Sequence, residues 1–146
     1  MNRIIVIDCE GHGPAPTLNS DSEFEFGAVD FDTMQSFHGI GGTKETFDAF
    51  QKWLSNIGGN ERLTFVSDNP AYDWQFINYY FHKFHGSNPF GWSARRIGDF
   101  YAGVCKDWGR ATDWKRLRDT AHDHNPVHDA VGNAEALRKI LKDLQP

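Results

Sequence analysis

Two acidic side chains stand two residues apart in Asp8-Cys9-Glu10, directly after the apolar run Ile4-Ile5-Val6-Ile7. On a strand, residues i and i+2 point to the same face, so both carboxylates can reach one hard cation while Cys9 turns the other way. Oxygen donors of this kind suit Mg²⁺ and Mn²⁺. Taken alone, an Asp-x-Glu pair is usually a solvated strand end. Asp73, at the start of a helix, and Asp129, in the first turns of the last helix, are each accounted for by the favourable effect of negative charge at a helix N-terminus. His124, just before that last helix, is by itself an ordinary surface or capping histidine. Chemistry is suggested by the combination, not by any one of these residues.

Three motifs occur in order: Asp8-Cys9-Glu10 after an N-terminal strand, Asn69-Pro70-Ala71-Tyr72-Asp73 ahead of a helix, and His124-Asn125-Pro126-Val127-His128-Asp129-Ala130 near the end. Together they resemble the DEDDh 3′→5′ exonuclease family, and the strand Phe26-Gly27-Ala28-Val29 is similar to that family's second strand. The resemblance implies a ribonuclease-H-like α/β fold and four metal-holding carboxylates, Asp8, Glu10, Asp73 and Asp129. It implies that Asp8, Glu10 and Asp129 bind one cation, that Asp8 bridges to a second, and that Asp73 acts largely through water. His124 then corresponds to the family's general base. Pairing His128 with Asn133 keeps the same spacing but replaces a charged ligand by an amide, so His124 with Asp129 is preferred.

The chemistry expected from this set is hydrolysis of single-stranded nucleic acid, RNA or DNA, from a free 3′ end to nucleoside 5′-monophosphates. Two divalent cations, Mg²⁺ or Mn²⁺, would activate water on one side of the phosphate and stabilise the leaving 3′ oxygen on the other. A histidine with an ordinary pKa near ~6.5 suits proton removal close to neutrality. Candidate substrate contacts are Gly11, His12, Asn69, Tyr72 and Trp74, with Phe76 a further candidate for stacking or for the core. Gly11-His12-Gly13-Pro14 departs from the family, many of whose members carry a hydroxyl or bulky residue after the glutamate. Two rival readings are a phosphodiesterase for very short oligonucleotides and a catalytically silent nucleic-acid-binding module.

The elements that must position these residues follow from periodicity. The Ile4–Ile7 run predicts a buried central strand. Segments 23–32 and 36–40 complete an antiparallel meander with it. Phe47, Phe50, Trp53, Leu54 and Ile57 predict a helix over 43–57 closed by Gly58-Gly59. Residues 63–66 predict another strand, and Trp74, Ile77, Phe81 and Phe84 a second helix. A last strand is expected over 95–100 and short helix and loop over 108–117. Asn125 as cap, Pro126 at the first helical position and the stripe Val127, Ala130, Val131, Ala134, Leu137, Leu141 and Leu144 predict a closing helix.

At 146 residues and 39% apolar, the chain is expected to form one exonuclease domain over 1–146. No apolar run is long enough to span a bilayer and the start lacks a signal-peptide pattern. With only Cys9 and Cys105, a cytoplasmic setting is expected, as monomer or homodimer. Net charge is −5, of which the four candidate ligands account for all but −1, so acidity does not exclude a nucleic-acid partner. Residues 92–118 are locally basic, with Arg95, Arg96, Lys106, Arg110, Lys115, Arg116 and Arg118 against Asp99, Asp107 and Asp113. Interleaved with Trp92, Tyr101, Trp108 and Trp114, they form a candidate track for a nucleic-acid backbone, with a plain solvated surface as the alternative.

Overall fold

The computed structural model describes residues 2–144. Strand β1 (Asn2–Glu10) is central in a five-stranded sheet, between β2 (Glu25–Asp30) and β4 (Arg62–Ser67), with β3 (Ser36–Ile40) and β5 (Ala94–Arg96) at the edges. β1, β2 and β3 pair antiparallel, as the meander predicts, while β4 and β5 run parallel to β1. Helices α1 (Lys44–Gly58), α2 (Pro70–His85), α3 (Ile97–Cys105) and α4 (Pro126–Asp143) flank this mixed sheet. The architecture is α/β and consistent with a ribonuclease-H-like arrangement.

A strand covered on both faces needs apolar residues on both, which is why Ile5, Val6 and Ile7 are consecutive and all fully buried. Odd positions Ile5, Ile7 and Cys9 enter an aromatic core with Phe24, Phe26, Phe47, Phe50, Phe76 and Phe81 from the side of α1 and α2. Val6 enters a second core with Val29, Ile97, Trp114, Ala134, Leu137 and Ile140, on the side of α3 and α4. Alternation therefore carries Asp8 and Glu10 to the α4 side of the sheet.

Helix α4 is started by Asn125, whose side chain accepts the backbone N–H groups of Val127 (3.0 Å) and His128 (3.3 Å), with Pro126 in the first turn. Its first turn rests on Gly27, the residue paired with Asp8 in the β1–β2 ladder. A Cβ at Gly27 would lie 2.4 Å from the Pro126 carbonyl oxygen, so only glycine lets the helix come this close. That contact sets the distance between β1 and the start of α4.

One expected element changes. The strand expected over 95–100 is only β5, three residues long, and the chain turns at once into α3. Buried Ile97, Tyr101 and Ala102 recur at helical spacing, so a helix seats them in the core where a continued edge strand would not. Residues 108–117 form two short 3₁₀ turns, Trp108–Arg110 and Asp113–Leu117. Among the described residues no helix is long and apolar enough to cross a membrane.

Gly27→Ala is expected to lower unfolding free energy by about 1–3 kcal/mol through overpacking. Gly103→Ala, in the exposed interior of α3 with open space around its Cβ, should raise it by about 0.5–1 kcal/mol. Urea denaturation of both variants checks the pair, and equal behaviour would contradict the close approach at Gly27.

Candidate active site

Carboxylate oxygens of Asp8, Glu10 and Asp129 lie within 4.8 Å of one another where β1 ends against the first turn of α4. Asp129 is 2% exposed, and its Oδ2, like Oδ2 of Asp8, is buried without a hydrogen-bond partner. Buried carboxylate oxygens are rarely left unpaired, because desolvation without compensation is costly. Hard oxygen donors at this spacing have the geometry to hold a divalent cation.

Asp73 reaches the same strand end from the opposite layer. β1 runs beyond its pairing with β4, which ends at Val6–Val66, and Asp73 Oδ1 accepts the Cys9 backbone N–H at 3.0 Å instead. Asp73 thus fixes the residue between Asp8 and Glu10. It stands outside the group of three oxygens within 4.8 Å and adds its charge to theirs.

Two unit charges at 4.8 Å repel by about 3–4 kcal/mol at an effective dielectric near ~20. The pKa values respond accordingly. Burial first, then the charges of Asp73, Glu10 and Asp129, push Asp8 up to about 9. Burial raises Asp73 to about 7 against the lowering effect of the Cys9 N–H. Glu10 is also raised by burial, opposed chiefly by the neighbouring His124.

His124 precedes α4 with φ +62°, a left-handed backbone that costs a non-glycine residue about 1–2 kcal/mol. Local bonds hold it there. Asn125 N–H donates to Asp123 Oδ1 (3.0 Å), Asp123 N–H donates to Asp129 Oδ1 (3.2 Å), and His128 Nδ1 lies 2.7 Å from Asp123 Oδ2. The His124 residue is exposed beside the carboxylates, with ligand atoms of His122, His124 and Asp129 within 4.8 Å of each other. The alternative pairing of His128 with Asn133 is not assembled: Asn133 Oδ1 accepts from Arg118 Nε at 2.9 Å and His128 is tied to Asp123.

The structure adds two residues to those singled out in the sequence. His122 Nδ1 is 3.0 Å from Asp129 Oδ1. Asp68 bears electrostatically on Asp8 and is paired with Lys115 at 3.1 Å. Neither lies in a periodic pattern, and only the proximity of His122 to His124 in sequence hinted at it.

The five candidate substrate contacts differ in character. Gly11 leaves room for Tyr72, whose hydroxyl oxygen would be 2.9 Å from a Cβ there and donates to the Gly13 carbonyl at 3.3 Å. His12 is exposed and its N–H donates to Asn19 Oδ1 at 2.7 Å. Asn69 is exposed, and its carbonyl accepts from Tyr72 and Asp73 in the first turn of α2. Trp74 packs edge-on against Phe65, with centroids 5.2 Å apart, while Phe76 is wholly core. In the basic segment Tyr101 and Trp114 are also core, which removes them as stacking surfaces because their rings complete the α3–α4 side. Trp92 and Trp108 are 92% and 81% exposed.

No family model matches the chain. It is 38% identical over 99 residues to the 3′-5′ DNA exonuclease Cap18 of Escherichia coli, a match that takes in 64% of this chain and 53% of that protein. The chain thus spans about half the length of the relative it matches.

Because Asp8 is raised to about 9 in the folded protein, folding takes up a proton from about pH 4 to pH 9 that the unfolded chain does not bind. This contribution to stability is complete below about pH 4 and is lost as pH rises through about 9; Asp73 acts in the same sense up to about 7. Asp8→Asn is therefore expected to raise the melting temperature of chelator-treated protein more at pH 8 than at pH 5. Calorimetry in chelator at the two pH values checks the sign.

Proposed function

We propose that this chain is a metal-dependent 3′→5′ exonuclease of the DEDDh type, acting on single-stranded nucleic acid with a free 3′ end and releasing nucleoside 5′-monophosphates. The observation that carries the reading is the convergence of Asp8, Glu10 and Asp129 on one pocket, with two buried carboxylate oxygens left unpartnered. A relative named as a 3′-5′ DNA exonuclease supports it and makes DNA the first substrate to try. Residues 1–146 are proposed to form a single exonuclease domain.

Asp8, Glu10 and Asp129 would hold Mg²⁺ or Mn²⁺, with Asp73 contributing to the same centre. Such cations supply the positive charge that polarises a phosphodiester and offsets the charge growing on it during displacement. Asp73 keeps the end of β1 in place through the Cys9 N–H, so Asp8 and Glu10 keep their spacing. His124 accepts the proton of the attacking water at an imidazole nitrogen, its backbone in the left-handed conformation and its ring close to Asp129 and within electrostatic reach of Glu10. Gly11, His12, Asn69, Tyr72 and Trp74 remain the proposed substrate-contacting set, and the monomer or homodimer acts without a membrane.

His124→Ala is expected to keep Mn²⁺ affinity and lose about 10²–10⁴-fold in turnover, the usual contribution of a positioned base. Asp8→Ala and Asp129→Ala should abolish metal-dependent cleavage. Incubating 5′-labelled single-stranded DNA and RNA with Mn²⁺, or with chelator, reads reaction, polarity and sugar preference in one gel. Full-length label throughout would overturn the proposal, and wild-type rates for His124→Ala would remove that residue as the base.

A further inference from the structure

Around the start of α4 lies a second set of donors, which adds His122, a residue the nuclease reading does not use, to His124 and Asp129. His122 Nδ1 is 3.0 Å from Asp129 Oδ1, and the His122 and His124 ring centroids are 4.4 Å apart at 69°. One ligand atom from each of His122, His124 and Asp129 falls within 4.8 Å of the others. Asp129 is buried, with Oδ2 unpartnered, whereas both imidazoles are exposed and able to turn. Two imidazoles and one carboxylate are a donor set of a different class from the neighbouring carboxylates. Imidazole nitrogen favours borderline ions such as Zn²⁺ over Mg²⁺, and three protein ligands with an open fourth position is a common Zn²⁺ arrangement.

We propose that His122, His124 and Asp129 form a Zn²⁺ site that overlaps the carboxylate centre through Asp129 and opposes its use. Zinc–ligand distances of about 2.0–2.2 Å place tetrahedral donors roughly 3.3–3.6 Å apart, so side-chain rotation alone closes the observed spacing. The backbone need not move, because Asp123, Asn125 and His128 already hold the turn. Ligation occupies the His124 lone pair that would otherwise accept a proton, and it draws Asp129 away from Asp8 and Glu10. The inhibitory consequence rests on the role given to His124 under the proposed function; the ion site itself does not.

The test is calorimetric titration of chelator-stripped protein with Zn²⁺ and, separately, with Mn²⁺, for wild type, His122→Ala and His124→Ala, each shown to be folded by circular dichroism. The expected result is at least a tenfold loss of Zn²⁺ affinity in both histidine variants, with Mn²⁺ affinity held. Wild-type Zn²⁺ affinity in His122→Ala overturns the site. In a parallel assay, Zn²⁺ added to Mg²⁺-supported cleavage should inhibit wild type at a concentration at least tenfold below that needed for His122→Ala. Histidine-dependent Zn²⁺ binding without inhibition overturns the opposing role. Histidine-dependent binding in a protein with no cleavage at all supports the ion site and counts against the proposed function instead.

Discussion

Mutual repulsion of buried carboxylates is the constraint around which this molecule is arranged. Asp129 is buried and Asp8 partly so, each keeps a buried, unpartnered oxygen, and Glu10 and Asp73 bring further negative charge to the same place. Burial and like charge together hold Asp8 near 9, so the metal-free site keeps a proton that a solvent-exposed aspartate would have lost. Such an arrangement is unfavourable in itself and becomes favourable when a cation is shared, which gives the cluster its chemical sense.

Three local devices enforce the crowding. Strand alternation puts Asp8 and Glu10 on one face while Cys9 stays in the aromatic core. The missing side chain at Gly27 lets the start of α4 settle on the sheet beside Asp8, and the Asn125 cap defines where that helix begins. The Cys9 N–H, beyond the reach of β4, is satisfied by Asp73 and so binds α2 to the same strand end. Each device meets an ordinary demand of backbone hydrogen bonding or packing, and each also delivers a charge to the pocket.

Much of this was legible beforehand because it is local. The apolar run before Asp8, the Asn125-Pro126 cap and the stripe along α4 are short-range signals, and the elements they predict are present. The 97–100 segment was not legible as helix, since its brief apolar pattern suits either state and tertiary burial of Ile97 and Tyr101 decides it. Tyr101 and Trp114 likewise looked available for stacking, but whether an aromatic faces water depends on partners distant in sequence. His122 lies in an irregular loop with no periodicity to place it, so its contact with Asp129 emerges only in three dimensions.

The central claim is that these acids share a cation, and anomalous diffraction from crystals soaked in Mn²⁺ tests it most directly. The account predicts an anomalous peak within coordination distance of Asp8, Glu10 and Asp129. A well-ordered pocket with no peak, or manganese bound only elsewhere on the protein, would contradict it.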